Sequence, residues 1–313
     1  MTDETANMIA ASQTDERAVR RPSRVPAVVR ALRPKQWVKN VLVFSAPLAA
    51  GRLFQRDVLV ASALALVAFA LVSSFVYLVN DSRDADEDRQ HPTKRYRPIA
   101  AGELSVPVAL VMAAICLAAG LGLGFWTAPP LGAVLVVYAV LQLGYTVWLK
   151  HQPIVDLAVV AMGFLLRALA GGLASGIPLS QWFLLVASFG SLFMVAGKRY
   201  SELVELGAQA GTRPSLAAYS ENYLRFAWMS SATLVVTFYS LWAFDQRTRV
   251  LWGVPWAAVS IAPFTLAILS YARDIDRGAA GEPENVVLHD RVLIVLGLLW
   301  LATTGLAVFG RPI

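Results

Sequence analysis

Three aspartates follow the first long apolar run, within a segment, 80–97, that reads Asn-Asp-Ser-Arg-Asp-Ala-Asp-Glu-Asp-Arg-Gln-His-Pro-Thr-Lys-Arg-Tyr-Arg. Asp81, Asp84 and Asp88 are spaced i, i+3 and i+7, which predicts one face of a helix. Like charges four residues apart destabilise a helix, and a bound cation removes that repulsion. Carboxylates suit Mg²⁺, which binds through one or two of them together with substrate phosphates. We predict a Mg²⁺ site with these three catalytic aspartates; a solvated, ion-paired loop is the alternative.

Basic residues close the same segment. Lys94, Arg95 and Arg97 supply positive charge for phosphates of the same ligand. Pro98 biases Arg97 towards an extended backbone, and Gly102 permits a turn before the next apolar run. This predicts that Arg97 lies beside the carboxylates, although an ordinary turn before a helix would give the same pattern. Together the acidic and basic groups predict a diphosphate ligand at a membrane surface.

The elements that must position these residues are long apolar segments. The chain is 57% hydrophobic and 15% charged, unlike a soluble domain. Nine segments approach the roughly 20 residues of a membrane helix, at 36–54, 58–80, 106–126, 129–149, 153–174, 180–197, 223–244, 250–272 and 291–309. Lys39 and Pro47 interrupt the first. We predict an all-α integral membrane protein, with a single nine-helix transmembrane catalytic domain over residues 31–313.

Positive charge is unevenly distributed between the loops. With the N-terminus in the cytoplasm, roughly 21 of the 27 Lys and Arg residues fall on the cytoplasmic side, as the positive-inside rule expects. The outer side holds Arg52, Arg56, Arg247, Arg249 and Arg311. We predict a multi-pass protein of the plasma (inner) membrane, with its polar loops in the cytoplasm. Orientation and attraction to anionic lipid and phosphate account for the net charge of +6, so no nucleic-acid partner is needed.

The N-terminal segment and the single cysteine limit the remaining possibilities. Residues 1–30 read as a disordered, basic cytoplasmic tail, and residues 1–24 lack the apolar core of a signal peptide. Cys116 is the only cysteine and lies within an apolar segment. Disulfides and thiolate metal sites are therefore excluded.

Two ionisable residues lie within the fifth predicted span. Asp156 and Arg167 are eleven residues apart, so they share a helix face. Arg167 lies about 16 Å further along the helix, at a rise of ~1.5 Å per residue, which is too far for direct pairing. Charge within a membrane indicates function by default. Arg167 therefore needs another partner or a water-filled cavity, and an ion pair to another helix is the structural alternative.

A family resemblance rests on the acidic segment. The pattern Asn80-Asp81-x-x-Asp84-x-x-x-Asp88, followed by Arg97-Pro98-x-x-x-Gly102, resembles the first aspartate motif of the UbiA superfamily of intramembrane prenyltransferases. The resemblance implies a bundle of nine transmembrane helices, with Mg²⁺ on the substrate diphosphate held by the motif's Asn and Asp residues. It also covers the pair Tyr145 and Lys150 at the end of the fourth span.

The chain departs from that family after the sixth span. Typical members carry a second aspartate-rich motif there, whereas residues 197–203 read Gly-Lys-Arg-Tyr-Ser-Glu-Leu. Lys198 and Arg199 stand with Glu202 where two or three carboxylates are expected. This predicts a site that binds phosphate directly with less metal. A basic loop that merely follows the positive-inside rule is the alternative.

Five segments together resemble one branch of the superfamily, the decaprenyl-phosphate phosphoribosyltransferases of cell-wall arabinan (arabinogalactan) synthesis. These segments are 32–40, 80–102, 164–171, 198–203 and 282–291. The implied donor is phosphoribosyl pyrophosphate, and the implied acceptor is a long polyprenyl phosphate. The residues assigned to substrate binding are Lys35, Lys39, Asn80, Lys94, Arg95, Arg97, Tyr145, Lys150, Arg167, Lys198, Arg199, Tyr200 and Glu202.

Two other functions stay open, as does a homo-oligomer. One is prenyl transfer to an aromatic or quinone precursor, which would favour a second carboxylate cluster. The other is lipid transport, which would favour inverted repeats. For the leading function, a charged donor and a lipid acceptor require a cytoplasm-facing polar cavity that also opens laterally to membrane lipids. The loops that carry Asp84 and Lys198 must then lie at the same end of the bundle.

Overall fold

Helices joined by short turns make up the part of the chain that the structure, a computed structural model, describes: residues 25–206, 216, 218–246, 251–281, 286 and 289–310. The α-helices are α1 (Ala27–Ala31), α2 (Ser45–Ala49), α3 (Arg56–Arg83), α4 (Ala85–Gln90), α5 (Val106–Thr127), α6 (Pro129–Val147), α7 (Val155–Ala174), α8 (Gln181–Leu206), α9 (Glu221–Asp245), α10 (Trp256–Val259), α11 (Ile261–Asp276) and α12 (Arg291–Phe309). The 3-10 helices are Pro34–Phe44, Lys94–Tyr96 and Leu149–His151.

Some predicted features lie outside these residues. They include residues 1–24 of the predicted tail, residues 282–285 and 287–288 of the last motif, and the outer arginines 247, 249 and 311. The end of the predicted tail is not disordered, because α1 begins at Ala27 and Arg30 pairs with Glu103. The last residues of the predicted tail, 25–30, therefore form part of the described structure.

Eight helices in the described residues are long and apolar enough to cross a membrane: α3, α5, α6, α7, α8, α9, the pair α10–α11, and α12. They coincide with eight of the nine predicted spans, which confirms an all-α, multi-pass membrane protein. One boundary differs in a way that matters for the site. Helix α8 continues to Leu206, so Lys198 and Glu202 lie on a helix where a loop was predicted. Their i,i+4 spacing supports that continuation.

The first predicted span, 36–54, is not one α-helix. It consists of the 3-10 helix Pro34–Phe44 followed by α2, and eleven residues is long for a 3-10 helix. Pro47 has no backbone N–H, so it cannot donate the hydrogen bond that a regular α-helix would form at this position. Contacts with α3 fix this segment instead: the Trp37 Nε1–H donates to Ser74 Oγ, which donates to the Leu32 carbonyl.

This irregular segment still runs the length of the bundle, and we call it the first crossing. At one end Arg33 binds Asp81. At the other end Gly51, with φ +66°, packs so closely on α12 that an added Cβ would lie 2.4 Å from the Val308 carbonyl oxygen. The Phe54 and Phe309 rings lie 5.1 Å apart beside it. The nine predicted passes are therefore eight helical spans and one irregular crossing.

Gly171 of α7 allows the first crossing to pack against the bundle. A Cβ at this position would lie 1.8 Å from the Val43 carbonyl oxygen and 3.1 Å from the Pro47 ring. Both Gly171 and Val43 are buried. Backbone contact at this distance leaves no room for any side chain, so the position of the first crossing depends on this glycine.

We expect Gly171→Ala to destabilise the protein by about 1–3 kcal/mol, because the extra methyl group must displace the first crossing from α7. Thermal unfolding of the detergent-solubilised protein measures the change. Gly297→Ala is the matched control, since a Cβ there meets nothing within 4 Å on α12, and alanine favours the helix. Equal melting temperatures for Gly171→Ala and wild type would contradict the packing argument.

The hydrophobic core has two large halves that meet at α7, and a third, small cluster contains Ala243, Ala257 and Ala307. One half is built from α3, α5 and α6 with Leu166 and Ala170 of α7. The other is built from α8, α9 and α11 with Leu157 and Ala161 of α7. Helix α7 therefore carries Asp156 towards the second half and Arg167 into the first, which separates the two intramembrane charges.

Candidate active site

The polar loops converge at one end of the bundle. We call the end formed by residues 80–105, 148–154 and 198–206 the polar end. Residues at and just after the end of α6 contact both the aspartate segment and the Lys198 segment. Lys150 Nζ lies 3.7 Å from Asp84 Oδ1, and the Tyr145 hydroxyl accepts a hydrogen bond from Arg199. The structure thus places the predicted aspartate segment and the Lys198 segment side by side.

The three aspartates do not share one helical face, contrary to their spacing. Helix α3 ends at Arg83, Asp84 forms a bend with φ −89° and ψ +11°, and α4 begins at Ala85. The backbone hydrogen bonds around the bend persist, since Asp88 N–H still donates to the Asp84 carbonyl. Two of the carboxylates nevertheless meet at one cation, because Arg97 donates to both Asp81 and Asp88.

Asp81 is held by two arginines. Arg33 Nη2 donates to its two oxygens over 2.5 and 2.8 Å, and Arg97 Nη1 lies 3.2 Å away. Such bidentate pairing fixes the carboxylate plane. Arg33 has a left-handed backbone, with φ +54°, and its guanidinium lies over the Tyr77 ring. Sequence reasoning missed Arg33 as a site residue, because no local spacing relates it to a partner 48 positions away.

The other two aspartates differ in how firmly they are held. Asp88 is buried and accepts from Arg97 over 2.6 Å, while Lys94 Nζ lies 3.9 Å away. Asp84 accepts from the Asn80 amide over 3.1 Å. Its side chain is 19% exposed, against 4% for Asp81. Of the three predicted metal ligands, Asp84 is therefore the aspartate most open to a ligand.

The second charged group is centred on Arg199. Its guanidinium donates to Glu202 over 3.0 Å and to the Tyr145 hydroxyl over 3.3 Å. Its Nε lies 3.6 Å from the fully buried carboxylate of Asp156. Among the described residues Lys198 reaches only Glu202, at 3.8 Å, and its side chain is 40% exposed. The predicted pair of phosphate ligands thus contains one fixed arginine and one more exposed lysine.

Arginines and lysines have different places at the polar end. The side chains of Arg33, Arg97 and Arg199 are 24%, 26% and 14% exposed and donate direct hydrogen bonds to carboxylates. The three lysines stand 3.7–3.9 Å from their carboxylates, beyond hydrogen-bond distance, and are 28–40% exposed: Lys94, Lys150 and Lys198. The arginines therefore orient the acidic groups, and the lysine ammonium groups remain available to an anionic ligand.

The donor set fits a divalent ion that arrives with its ligand. Within the described residues no group of three His, Cys, Asp or Glu side chains lies together in a metal-binding arrangement. Mg²⁺ needs fewer protein ligands, because it retains water and binds one or two carboxylates with substrate phosphates. The partly exposed Asp84 carboxylate and the neighbouring Asn80 amide provide hard oxygen atoms of that kind.

Arg167 lies far from the polar end, in a buried group of neutral partners. Its guanidinium donates to Asn40 Oδ1 over 2.8 Å, to the Gly163 carbonyl over 2.7 Å and to the Tyr138 hydroxyl over 2.7 Å. It also lies over the Tyr138 ring, and Ser73 Oγ is 3.5 Å away. No described carboxylate forms an ion pair with it, so the alternative of an interhelical ion pair is not seen, and its contact with substrate stays a prediction.

Four other predicted substrate residues have the following places in the structure. Tyr200 is 1% exposed and packs against Trp228, with its hydroxyl bound by Arg225. Arg95 is exposed and donates to Tyr96. Lys35 is exposed and Lys39 is half-buried, both on the first crossing. For Tyr200, burial in the core corrects the prediction of a substrate contact.

A second feature is an apolar cavity of about 330 Å³ at the opposite end of the bundle, where the first crossing meets α12. Aromatic side chains from four helices line it, together with Ala46 and Ala49: Trp182, Phe183, Tyr239, Trp242, Phe264 and Trp300. Tyr239 lies about 27 Å along α9 from Glu221, at a rise of ~1.5 Å per residue. The cavity is therefore separated from the charged site by most of a membrane thickness.

Comparison with known proteins gives the family. Residues 41–295 match the sequence model of the UbiA prenyltransferase family. A decaprenyl-phosphate phosphoribosyltransferase from Corynebacterium glutamicum is 51% identical over 290 residues, covering 91% of this chain and 87% of the relative. One from Mycobacterium tuberculosis is 52% identical over 290 residues, covering 91% of this chain and 95% of the relative.

Solved structures show the same fold at lower sequence identity. A UbiA homolog from Archaeoglobus fulgidus bound to GPP and Mg²⁺ superposes with a TM-score of 0.65 at 21% identity, covering 91% of this chain and all of that one. A digeranylgeranylglyceryl phosphate synthase structure gives a TM-score of 0.65 at 15% identity, over 91% and 98% of the two chains. With the aspartate segment at the polar end, these matches show that the chain belongs to the UbiA prenyltransferase family.

Proposed function

We propose that this protein transfers the 5-phosphoribosyl group of phosphoribosyl pyrophosphate to a polyprenyl phosphate, decaprenyl phosphate in particular, and releases diphosphate. The observation that carries the proposal is the pairing at the polar end. An aspartate segment stands beside Lys198 and Arg199, where a typical family member would have a second acidic motif. The named activity of the relatives at 51% and 52% identity supports it.

The donor explains why both kinds of charge are present. It carries a diphosphate on ribose C1 and a phosphate on C5, so it needs a metal–carboxylate site and separate cations. Asn80, Asp81, Asp84 and Asp88 would hold Mg²⁺, which neutralises charge on the diphosphate when bound. The exposed lysines, Lys94, Lys150 and Lys198, bind the phosphate oxygens as mobile point charges.

The transfer needs little from the protein beyond binding and orientation. The bond from ribose C1 to the diphosphate oxygen breaks, and a bond from C1 to an acceptor phosphate oxygen forms, through an oxocarbenium-like transition state. The acceptor phosphate is largely ionised at neutral pH, because its second pKa is about 6. It attacks without a general base, and the cations stabilise the charge that develops on the leaving group.

The membrane geometry follows from the two substrates. We place the polar end in the cytoplasm of a plasma-membrane protein, since the charged donor is cytoplasmic and the basic loops follow the positive-inside rule. The acceptor chain stays in lipid, because exposing it to water costs about 0.8 kcal/mol per CH₂. The lateral opening to lipid that this requires stays a prediction, since the aromatic cavity lies at the opposite end of the bundle. The product would be a precursor of cell-wall arabinan.

Prenyl transfer to an aromatic acceptor is the second candidate, because it is an activity of the same family. The Lys198 segment argues against it. A prenyl diphosphate carries no phosphate apart from its diphosphate, so it has no separate phosphate for those cations to bind. One experiment separates the candidates. Purified protein with Mg²⁺, radiolabelled phosphoribosyl pyrophosphate and decaprenyl phosphate should yield label in the organic phase. Label transfer only from geranyl diphosphate to an aromatic acid would overturn the proposal.

We expect Lys198→Ala to raise the KM for phosphoribosyl pyrophosphate on the order of tenfold or more, since a charge-assisted contact contributes roughly 1.5–3 kcal/mol. The KM for the polyprenyl phosphate should not change. Steady-state kinetics with each substrate varied in turn measures both. Arg277→Ala is the control, as an exposed cation after the end of α11. An unchanged donor KM would indicate that Lys198 does not bind the donor and only follows the positive-inside rule.

A further inference from the structure

Ile154 has a backbone conformation that its side chain disfavours. Its φ is +68° and its ψ is −46°, and the Val155 N–H donates to the Pro153 carbonyl over 2.7 Å. These values describe the rare, positive-φ form of the γ-turn. A β-branched residue at positive φ is an outlier, and such strain persists only where the surrounding structure fixes it. The turn lies two residues before Asp156.

Tyr219, from the segment between α8 and α9, supplies the fixing contacts. Its hydroxyl accepts the Ile154 N–H over 2.5 Å and donates to Asp156 Oδ1. Its side chain is 7% exposed, and the ring stacks on Tyr223 at 5.8 Å. Burial, and then the hydrogen bond to Asp156, raise the pKa of Tyr219, so the hydroxyl keeps its proton at neutral pH. One hydroxyl group thus holds both the strained turn and the carboxylate.

Asp156 connects Tyr219 to Arg199. It is fully buried, and its Oδ2 accepts no hydrogen bond from a described residue but lies 3.6 Å from Arg199 Nε. Together with Glu202 and Tyr145, it holds the guanidinium from three sides. Arg199 and Lys198 are consecutive on α8, so the same contacts fix the backbone from which Lys198 projects.

We infer that Tyr219 is a positioning residue of the donor site, whose hydroxyl holds the Ile154 turn and Asp156 and thereby keeps Arg199 and Lys198 in place. The inference rests on the proposed function, because Lys198 is taken to bind the donor. A residue that only tied this segment to α7 would impair both substrates alike when mutated. A positioning role affects the donor alone.

The test is Tyr219→Phe, which removes the hydroxyl and keeps the ring. We expect the KM for phosphoribosyl pyrophosphate to rise about tenfold, the effect of roughly 1.4 kcal/mol, with the KM for polyprenyl phosphate unchanged. Tyr223→Phe is the matched control, since its hydroxyl makes neither of these bonds. Ile154→Gly should partly restore the donor KM of Tyr219→Phe, because glycine adopts positive φ without strain.

A second variant keeps the test decisive if Tyr219→Phe folds poorly. Asp156→Asn retains an acceptor for Tyr219 but removes the charge that faces Arg199, so it should raise the donor KM similarly. The double variant should then show less than the product of the two effects, because both act through one contact chain. An unchanged donor KM in both variants, or equal losses for the two substrates, overturns the positioning role and leaves the proposed function standing. Failure of the wild type to bind or use radiolabelled phosphoribosyl pyrophosphate overturns both.

Discussion

Asp84→Ala should lower phosphoribosyl transfer on the order of a thousandfold or more while the fold is retained. Loss of metal stabilisation at the leaving group removes several kcal/mol, and each ~1.4 kcal/mol corresponds to a factor of ten in rate. Asp84 is the least enclosed of the three aspartates, and its only described partners are the Asn80 amide and Lys150. Its replacement therefore leaves few buried groups unpaired. Label transfer at saturating Mg²⁺ and thermal unfolding measure the two properties.

Two further variants test whether the effect comes from the Asp84 carboxylate. Asp86→Ala removes a carboxylate two positions away that is 89% exposed and pairs only with Arg89 among the contacts described, so its activity should match wild type. Asp84→Asn keeps the size of the side chain and removes its charge, so it should be nearly as inactive as Asp84→Ala. Near-native turnover of Asp84→Asn at high Mg²⁺ would show that this carboxylate does not bind the metal.

Asp88→Ala tests a different consequence of the geometry. The sequence alone predicts that it behaves like Asp84→Ala, since the two residues share a motif. In the structure Asp88 is buried against Arg97, which also binds Asp81. Its loss leaves a partly buried cation with one carboxylate fewer, a change that costs stability as well as activity. We therefore expect a lower melting temperature for Asp88→Ala than for Asp84→Ala.

The fold was largely predictable from local sequence, because a membrane span must be long and apolar. That rule located eight helices. It did not describe the first crossing, whose shape depends on contacts such as Ser74 with Leu32 and on the space at Gly171. These contacts join residues far apart in sequence. Hydropathy indicates that a segment can cross a membrane, and only packing determines whether it does so as a regular helix.

The candidate site was predictable in its residue types and less so in its pairings. The aspartate segment and Lys198 come together at one end, as alternating membrane passes require. The partners of the acidic groups could not be read from spacing: Arg33 with Asp81, and Asp156 with Arg199. The bend at Asp84 was also missed, because helical periodicity carries no information about where a helix ends without a proline or glycine signal.

Arg167 shows why an intramembrane charge is an ambiguous signal. Its position within a span predicted contact with substrate. The structure instead surrounds the guanidinium with neutral acceptors and aromatic rings drawn from the first crossing, α3, α6 and α7. Five N–H donors on a planar group can join several segments at once. These bonds alone give Arg167 a structural role, whether or not it also binds a substrate.

Arg167→Ala should therefore destabilise the protein by about 3 kcal/mol or more. The change leaves a cavity and removes the donors from several buried acceptors, each of which costs about 1–3 kcal/mol when unsatisfied. Asn40 is the most affected, because its Nδ2 is already without a hydrogen bond and its Oδ1 would lose the Arg167 Nε–H. Thermal unfolding in detergent, compared with wild type and with Arg277→Ala at the exposed end of α11, measures the effect.

The choice between a structural and a substrate role for Arg167 depends on which quantity changes. A structural role predicts a lower melting temperature and, for the fraction that stays folded, an unchanged donor KM. Arg167→Lys should fail in the same way, because an ammonium group cannot reproduce the planar fork that reaches Asn40, Gly163 and Tyr138. If the variants instead melt at the wild-type temperature but have a raised KM for either substrate, Arg167 binds phosphate, as its position in the sequence first indicated.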